Sequence, residues 1–466
     1  MRNRRLIAVI LVLAVLLSIP SLQVSAQYTG TVNSDHVLLM DADSGLVLYE
    51  KDAYSKAYPA STTKIMTCIL VLENCDNLLD KVTISKIINN YGEGNSLMGL
   101  VVGDKVRVKD LLYGLMLPSG NDAAAVLAEY FGGSIEGFAD MMNAKAKELG
   151  MENTHYVTPH GLPDEDHYTT AYDMSILVRY AMQNGDFRAI VSTPSYTCPS
   201  TEKMDERTLY NTNRYINPKE KNKSYNWDAV TGVKTGYTDA AGGCLVVTAS
   251  QDVKNLLCIV FGDHSDGQED RWTESRALLE YGFEALTSAP LSDLNIPVQT
   301  VNVPNASADD EGSGELALTL GDGSTEVACT QDMLDSISSG TTSVTVNLTL
   351  DDAVAAPISS GQKLGTADVV YDGTTLATVD VFASRAVSAK AEASGTENPS
   401  QSPDENSLIE GSANIIKKQG PSVYLIIAAV LLVLIILLVI LRINNVNKKK
   451  RRRRAAAAAR RKNRGE

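Results

Sequence analysis

Apolar and polar positions along this 466-residue chain change their rhythm several times, and each change marks an element. From Val37 to Asp52 the stretch VLLMDADSGLVLYEKD reads as two short strands around an Asp-Ala-Asp-Ser-Gly turn, a hairpin by its central polar and glycine cluster. Helical spacing of apolar residues then dominates Ser61–Cys75, Val108–Phe131, Ile135–Leu149 and Ala171–Gln183. After Trp227 the pattern shortens to strands at Ala229–Lys234, Gly243–Ser250 and Leu256–Gly262, the last two joined by a polar turn, and Glu269–Leu286 follows as an amphipathic helix. Strands at both ends with helices between predict an α+β unit whose terminal strands share one sheet. Residues from about 290 to 386 are rich in Val, Thr, Gly and Asp and alternate in runs such as Ser343–Leu350 and Val379–Ala383, which predicts a small all-β domain. Residues 387–419 have little to bury and read as part of a flexible stalk.

Two longer apolar runs change the picture. Arg2, Arg4 and Arg5 precede apolar residues 6–17, and Val24-Ser25-Ala26 offers small residues for cleavage, so residues 1–26 read as an export signal. Residues 423–441 carry no charge and, at about 1.5 Å per helical residue, match a hydrocarbon layer of about 30 Å, so they are expected to span a membrane. The basic tail that follows, residues 442–466, is expected to stay in the cytoplasm against anionic lipid, leaving the body outside the cell. The net charge is −14, while residues 1–26 carry +3 and residues 442–466 carry +11, so the body holds −28. An acidic body excludes nucleic acid as a natural partner. Six scattered cysteines predict neither a disulfide framework nor a metal centre, and no cofactor motif occurs.

The chemistry is sought among hydrolase patterns. There is no Gly-x-Ser-x-Gly and no His-Glu-x-x-His, and the five histidines, His36, His155, His160, His167 and His264, lie mostly in loops, where surface or turn roles are expected. Ser61 and Lys64 offer another arrangement. Residues i and i+3 of a helix face the same way with Cβ atoms about 5–6 Å apart, so the amine reaches the hydroxyl. A free lysine is protonated and useless as a base; burial, the helix N-terminus or a second cation nearby would push it toward neutrality. Taken singly, such motifs are cheap. Ser-x-x-Lys recurs at Ser200–Lys203 and Ser360–Lys363, and Ser-x-Asn occurs at Ser119–Asn121, Ser224–Asn226 and 412–414; only the first of each kind stands in a helical setting. Lys234-Thr235-Gly236 occurs once, at a strand end. Each piece alone also has a plain structural reading, Ser61 as a helix N-cap and Lys234 as a strand-end charge among them.

Ser61-Thr62-Thr63-Lys64, Ser119-Gly120-Asn121 and Lys234-Thr235-Gly236, in that order, resemble the three signatures of penicillin-binding proteins and serine β-lactamases. The surrounding LLYGLMLPSGNDAAAVLAE, YTTAYDMSILVRYA and GVKTGYTDAAGGCLVV resemble the low-molecular-mass D-alanyl-D-alanine carboxypeptidases, peptidase family S11, over residues 27–286; residues 290–386 resemble that family's C-terminal β domain more loosely. The resemblance implies a transpeptidase-type fold, an antiparallel sheet with a helical subdomain, over residues 27–288, and the small β domain over 289–386. The stalk (387–422), span (423–441) and tail (442–466) come after these.

It implies Ser61 as nucleophile, Lys64 as its base and Ser119 as proton relay. Asn121, Lys234, Thr235 and Gly236 would bind substrate, and the backbone N–H groups of Ser61 and Tyr237 would form the oxyanion hole. The substrate would be a peptidoglycan stem peptide ending in D-Ala-D-Ala, with β-lactams as covalent inhibitors and no cofactor. Relatives commonly lie on the membrane through an amphipathic helix, whereas a full span is expected here. Arg214 in NTNRYINP falls out of register with a carboxylate-binding arginine of some relatives and is left out of the site. The rival readings are a serine β-lactamase, opposed by the lack of a Glu-x-x-Leu-Asn loop between Asn121 and Lys234, and an inactive wall-binding scaffold, opposed by the complete signatures.

Overall fold

The computed structural model describes residues 28–351 and 354–390. The export signal, nearly all of the stalk, the expected span and the basic tail lie outside the described residues; among those described, no helix is long and apolar enough to cross a membrane. The chain divides into units of residues 1–392 and 393–466, and only the first is described.

The N-terminal domain is organised on an antiparallel five-stranded sheet. Its strands are β1 (His36–Asp41), β2 (Val47–Lys51), β3 (Val230–Thr238), β4 (Gly242–Gln251) and β5 (Lys254–Asp263), in the order β2-β1-β5-β4-β3. The terminal strands do share one sheet, as the pattern predicted. β5 reads as a continuous apolar run because both its faces are covered. Leu257, Ile259 and Phe261 pack with Leu38 and Met40 on the helical side, while Leu256, Cys258 and Val260 pack with Val37 and Leu39 on the other. That second face is closed by Trp272, Leu278 and Leu279 of a helix at Asp270–Ala285.

On the first face lie α1 (Lys64–Glu73), α2 (Val108–Met116), α3 (Asn121–Gly132), α4 (Ile135–Glu148) and α5 (Ala171–Ala181); the helix closing the opposite face is α6. α1 is apolar nearly all round and buried from Lys64 to Val71, as a helix at the centre of a domain must be. The helical pattern from Val108 to Phe131 resolves into two helices. Pro118 removes a backbone donor, Ser119 takes φ +65°, and a Cβ on Gly120 would lie 2.8 Å from the carbonyl of Gly114, so the chain turns sharply there.

The C-terminal domain holds a second antiparallel sheet, β7 (Gln299–Asn302), β8 (Glu315–Leu320), β10 (Val344–Leu350), β11 (Lys363–Tyr371) and β12 (Thr374–Ala383), in the order β7-β8-β12-β11-β10. A small second ladder pairs β6 (Leu286–Pro290) with β9 (Glu326–Thr330). The expected limits are corrected: the pairing begins at Leu286 and persists through Val387, whose backbone exchanges two 2.9 Å hydrogen bonds with Ile358, so the domain overruns 289 and 386. The β domain carries one short α-helix among its strands, α7 (Gln331–Ser338), capped by the Thr330 side chain.

Candidate active site

Ser61 sits in a 3₁₀ turn, Ala60–Thr63, that leads directly into α1. The turn is tied by its own threonines: Thr62 Oγ1 donates to the Pro59 carbonyl at 2.7 Å and Thr63 Oγ1 to the Ala60 carbonyl at 2.8 Å. Ala60 adopts φ +47°, a conformation costly for a residue with a Cβ. One turn on, Lys64 is fully buried in the domain core. Its Nζ lies 3.0 Å from Ser61 Oγ, 2.7 Å from Asn121 Oδ1 and 2.9 Å from the His160 carbonyl. Burial above all, and then the charge of Lys234, hold the Lys64 amine well below the usual lysine range, against the opposing pull of Asp122. A neutral amine has two hydrogens and one lone pair. The Asn121 and His160 oxygens can only accept and take both hydrogens, which leaves the lone pair for the serine proton.

Asn121, the first residue of α3, is oriented by its other end: Nδ2 donates to Asn95 Oδ1 at 2.9 Å, so Oδ1 must face Lys64. Next to it the Asp122 carboxylate accepts backbone N–H groups of Met98, Gly99 and Leu100 at 2.8–3.0 Å, pinning the 95–100 loop beside the site. Ser119 is 5 % exposed, and its Oγ has no hydrogen-bond partner, neither lysine included.

Across the cleft runs the edge strand β3. A Cβ on Gly236 would stand 3.0 Å from the Ser61 nitrogen and 3.2 Å from the Pro59 carbonyl, so glycine is what permits this strand to approach the nucleophile turn. Lys234 is buried, its Nζ donating to the Thr235 carbonyl at 2.8 Å. Burial first, then the Arg271 guanidinium, push its amine down to about 7. Thr235 Oγ1 lies 2.7 Å from Thr212 Oγ1. Tyr237 is half exposed, with its hydroxyl donating to Asp239.

The three signatures therefore converge on one cleft, and the duplicate motifs among the described residues stand apart from it; residues 412–414 lie outside the described residues. Lys203 donates to the Val102 carbonyl, Lys363 pairs with Asp380, and Ser224 donates from N and Oγ to Asn222 Oδ1, the cap of its own turn. Arg214 is held by Glu220 and Glu269 over the ring of Tyr225. All six cysteines are unpaired, and among the described residues no cluster of acidic, histidine or cysteine side chains could hold a metal.

Sequence reasoning missed four contributors. His160 and His167, expected in surface or turn roles, are 4 % and 2 % exposed. Arg271 donates from Nη1 to the Gly236 carbonyl at 2.8 Å, bracing β3 from behind. Asn95 is the fourth. All four act across separations of 26 to 104 residues, which no local pattern displays.

Residues 22–265 match the family of D-alanyl-D-alanine carboxypeptidases, peptidase S11, and residues 331–389 match the C-terminal domain of penicillin-binding protein 5. The D-alanyl-D-alanine carboxypeptidase DacF of Bacillus subtilis is 34% identical over 354 residues, 74% of this chain and 84% of that protein. Among solved structures, the Streptomyces K15 DD-transpeptidase is 35% identical with a TM-score of 0.50, covering 55% of this chain and 99% of its own. Penicillin-binding protein 5 of Haemophilus influenzae is 25% identical with a TM-score of 0.53, covering 78% and 99%.

Proposed function

The chain belongs to the D-alanyl-D-alanine carboxypeptidase family, peptidase S11, and from that premise we propose how its residues divide the work of a serine-type D-Ala-D-Ala carboxypeptidase. The terminal carboxylate of a peptidoglycan stem peptide is gripped by the Lys234 ammonium and the Thr235 hydroxyl. Asn121 holds the substrate amide while it orders Lys64. Ser61 Oγ attacks the carbonyl between the two D-alanines as its proton passes to Lys64 Nζ. The developing oxyanion is held by the backbone N–H groups of Ser61 and Tyr237. The C–N bond then breaks, and the proton reaches the leaving amine through Ser119, whose buried and unpartnered hydroxyl is free for that relay. D-Alanine departs and an ester to Ser61 remains. Water, giving its proton to Lys64, attacks the ester carbonyl; the bond to Ser61 Oγ then breaks, Lys64 returns the proton to that oxygen, and the shortened peptide leaves. A β-lactam enters by the same first step and stays as a covalent acyl group.

The observation that carries this reading is the geometry of the buried Lys64 amine, which lies 3.0 Å from Ser61 Oγ and 2.7 and 2.9 Å from two oxygens that can only accept, with burial and then Lys234 holding its pKa well below the usual lysine range. The sequence further supports an exported enzyme tethered by residues 423–441, with residues 442–466 cytoplasmic and in contact with membrane lipid. Incubating the full chain with a labelled penicillin and mapping the modified peptide tests the assignment. The label is expected on Ser61, with D-alanine released from a stem pentapeptide; Ser200→Ala leaves both intact. Label on Ser200 would overturn the assignment, and prompt turnover of the penicillin would move the reading to a β-lactamase.

A further inference from the structure

Three side chains at the start of α1 and in the turn before it, Thr63, Lys64 and Thr67, hydrogen-bond to one loop, residues 157–167. Lys64 and Thr67 bond to the carbonyls of His160 and Pro159, at 2.9 and 2.6 Å, and Thr63 Oγ1 lies 2.8 Å from His167 Nε2. The His167 ring is 2 % exposed, and its Nδ1 accepts the backbone N–H of Val157 at 3.0 Å and of Thr158 at 3.3 Å. A ring nitrogen that accepts from backbone donors carries no proton, so the hydrogen of the neutral imidazole sits on Nε2 and is donated to Thr63 Oγ1. Burial keeps the ring neutral, pushing its pKa down to about 4. The Thr63 hydroxyl hydrogen is then committed to the Ala60 carbonyl, 2.8 Å away. Ala60 immediately precedes Ser61 and holds the left-handed φ of +47°. The same carbonyl is walled on another side by Gly161, where a Cβ would lie 1.8 Å from the oxygen.

We propose that His167 is a positioning residue for acylation: through Thr63 it fixes the Ala60 carbonyl, and with it the strained backbone that aims Ser61 Oγ at Lys64. The inference rests on the assignment of Ser61 as nucleophile and goes beyond it. The strained turn needs an outside clamp, because residues in such conformations persist only where their surroundings over-determine them. The chain of donors has one direction, Nε2–H to Thr63 and Thr63 to Ala60, and no member can be reversed without leaving Val157 and Thr158 unpaired.

The two halves of the ring are separable. A glutamine amide reaches the position of Nε2 and keeps a donor for Thr63; an asparagine amide reaches the position of Nδ1 and keeps an acceptor for Val157 instead. In the full chain, the second-order rate of acylation by a fluorescent penicillin and kcat for D-alanine release are measured for His167→Gln, His167→Asn, Thr63→Val and Thr63→Ser. His167→Asn and Thr63→Val are expected to slow acylation about 10- to 100-fold, the scale of a misaimed nucleophile. Binding of a carboxylate-bearing product analogue should be unchanged, since Lys234 is untouched. His167→Gln and Thr63→Ser should stay near the unmutated rate, and the double variant His167→Asn/Thr63→Val should be no slower than either single. Normal acylation by His167→Asn, equal loss in the Gln and Asn variants, or additive losses would overturn the proposal. The Thr63 pair decides the matter even where a His167 variant fails to fold. Absence of label from Ser61 in the unmutated protein would instead remove the nucleophile assignment, a separate result.

Discussion

Among the described residues, every polar or charged residue that is buried as a whole belongs to the N-terminal domain. Lys64, Asn121, Asp122, His160, His167 and Lys234 are all less than a tenth exposed, while beyond Leu286 the buried residues are apolar, such as Leu316, Val369 and Val381, and the largely covered Asp310 carboxylate is paired with the part-exposed Arg385. Both regions are organised on an antiparallel five-stranded sheet with an apolar interior, so the presence of a sheet does not explain the contrast. Taking an ammonium group out of water carries an effective penalty of several kcal/mol per ion, and a domain selected for packing alone avoids it. The N-terminal domain buries two lysine amines, Lys64 and Lys234, in one cleft, and the proposed roles ask for this: a base that is neutral and a carboxylate clamp that is charged. Destabilisation is thus localised where the chemistry is, and substitutions in the two domains should trade stability against activity differently.

The sharpest way to break that contrast is to replace the proton acceptor by a basic group that cannot accept a proton. Lys64→Arg places a permanently protonated guanidinium beside Ser61, and loss of the general base should lower acylation about 10²- to 10⁴-fold, measured with a labelled penicillin. Ser61→Ala should abolish labelling and D-alanine release together. Near-normal acylation by the arginine variant would mean that the buried amine is structural, and the contrast between domains would lose its functional meaning.

Next in size are paired stability measurements. Leu316→Ala empties a fully buried site in the β-domain core and should cost about 2–5 kcal/mol there, leaving acylation unchanged. Lys64→Met replaces a buried amine by an apolar chain of similar volume and should stabilise the N-terminal domain by about 1–4 kcal/mol while eliminating activity. Denaturation followed separately for the two domains reads both. A Lys64→Met protein less stable than its parent would show that the amine's three hydrogen bonds outweigh the cost of burying it.

The contrast also explains what the sequence did and did not display. Apolar alternation and runs were enough to find β1, β2, β4 and β5, because those strands are defined by which faces they bury. The Ser61–Lys64 spacing was legible because one helical turn brings the pair together regardless of the rest of the fold. The break between α2 and α3 was legible too, because LLYGLMLPSGNDAAAVLAEYFG reads as a helical hairpin that turns at Pro118-Ser119-Gly120. Thr330 ahead of Met333, Leu334 and Ile337 likewise marked α7 within a stretch whose overall texture is that of strands. His160 and His167 were not legible: a loop histidine becomes buried only because α1 packs against it, and nothing within ten residues of either records that contact. The polar interior of the N-terminal domain is written in tertiary contacts, whereas the apolar interior of both is written in periodicity.

Acidity sharpens the comparison further. The Lys234 amine falls from its ordinary 10.5 to about 7 in the folded protein, through burial and then Arg271, and Lys64 shifts the same way. Between about 7 and 10.5 the unfolded chain therefore binds more protons than the folded one, and stability rises with pH across that window. Below about 7 the full cost of the buried charge is present. The slope of stability against pH should flatten in Lys234→Met. In kinetics the sign is opposite, because the carboxylate clamp needs the charged form: kcat/KM for a stem peptide should fall about tenfold per pH unit once pH exceeds that value. An ester substrate lacking the terminal carboxylate should lose this falling limb. If it retains the limb, Lys234 is not the clamp.

The smallest effect is expected at Arg214, and for that reason it discriminates between two cations that stand near one another in sequence. Its guanidinium is partly exposed, bonded to Glu220 at 2.9 Å and Glu269 at 2.8 Å, and stacked 3.8 Å from the Tyr225 ring centroid. A pair of this exposure contributes about 0.2–1 kcal/mol, and the stacking a comparable amount, so Arg214→Ala should lower stability by roughly 1 kcal/mol. KM should change less than twofold, because Nε and Nη1 of Arg214 are engaged by Glu220 and Glu269. Lys234, by contrast, is buried on β3 itself, the strand whose Gly236 approaches Ser61. A tenfold rise in KM for Arg214→Ala, with stability unchanged, would transfer the carboxylate grip from the buried lysine to the surface arginine. The reason for burying a second ammonium in the N-terminal domain would then disappear.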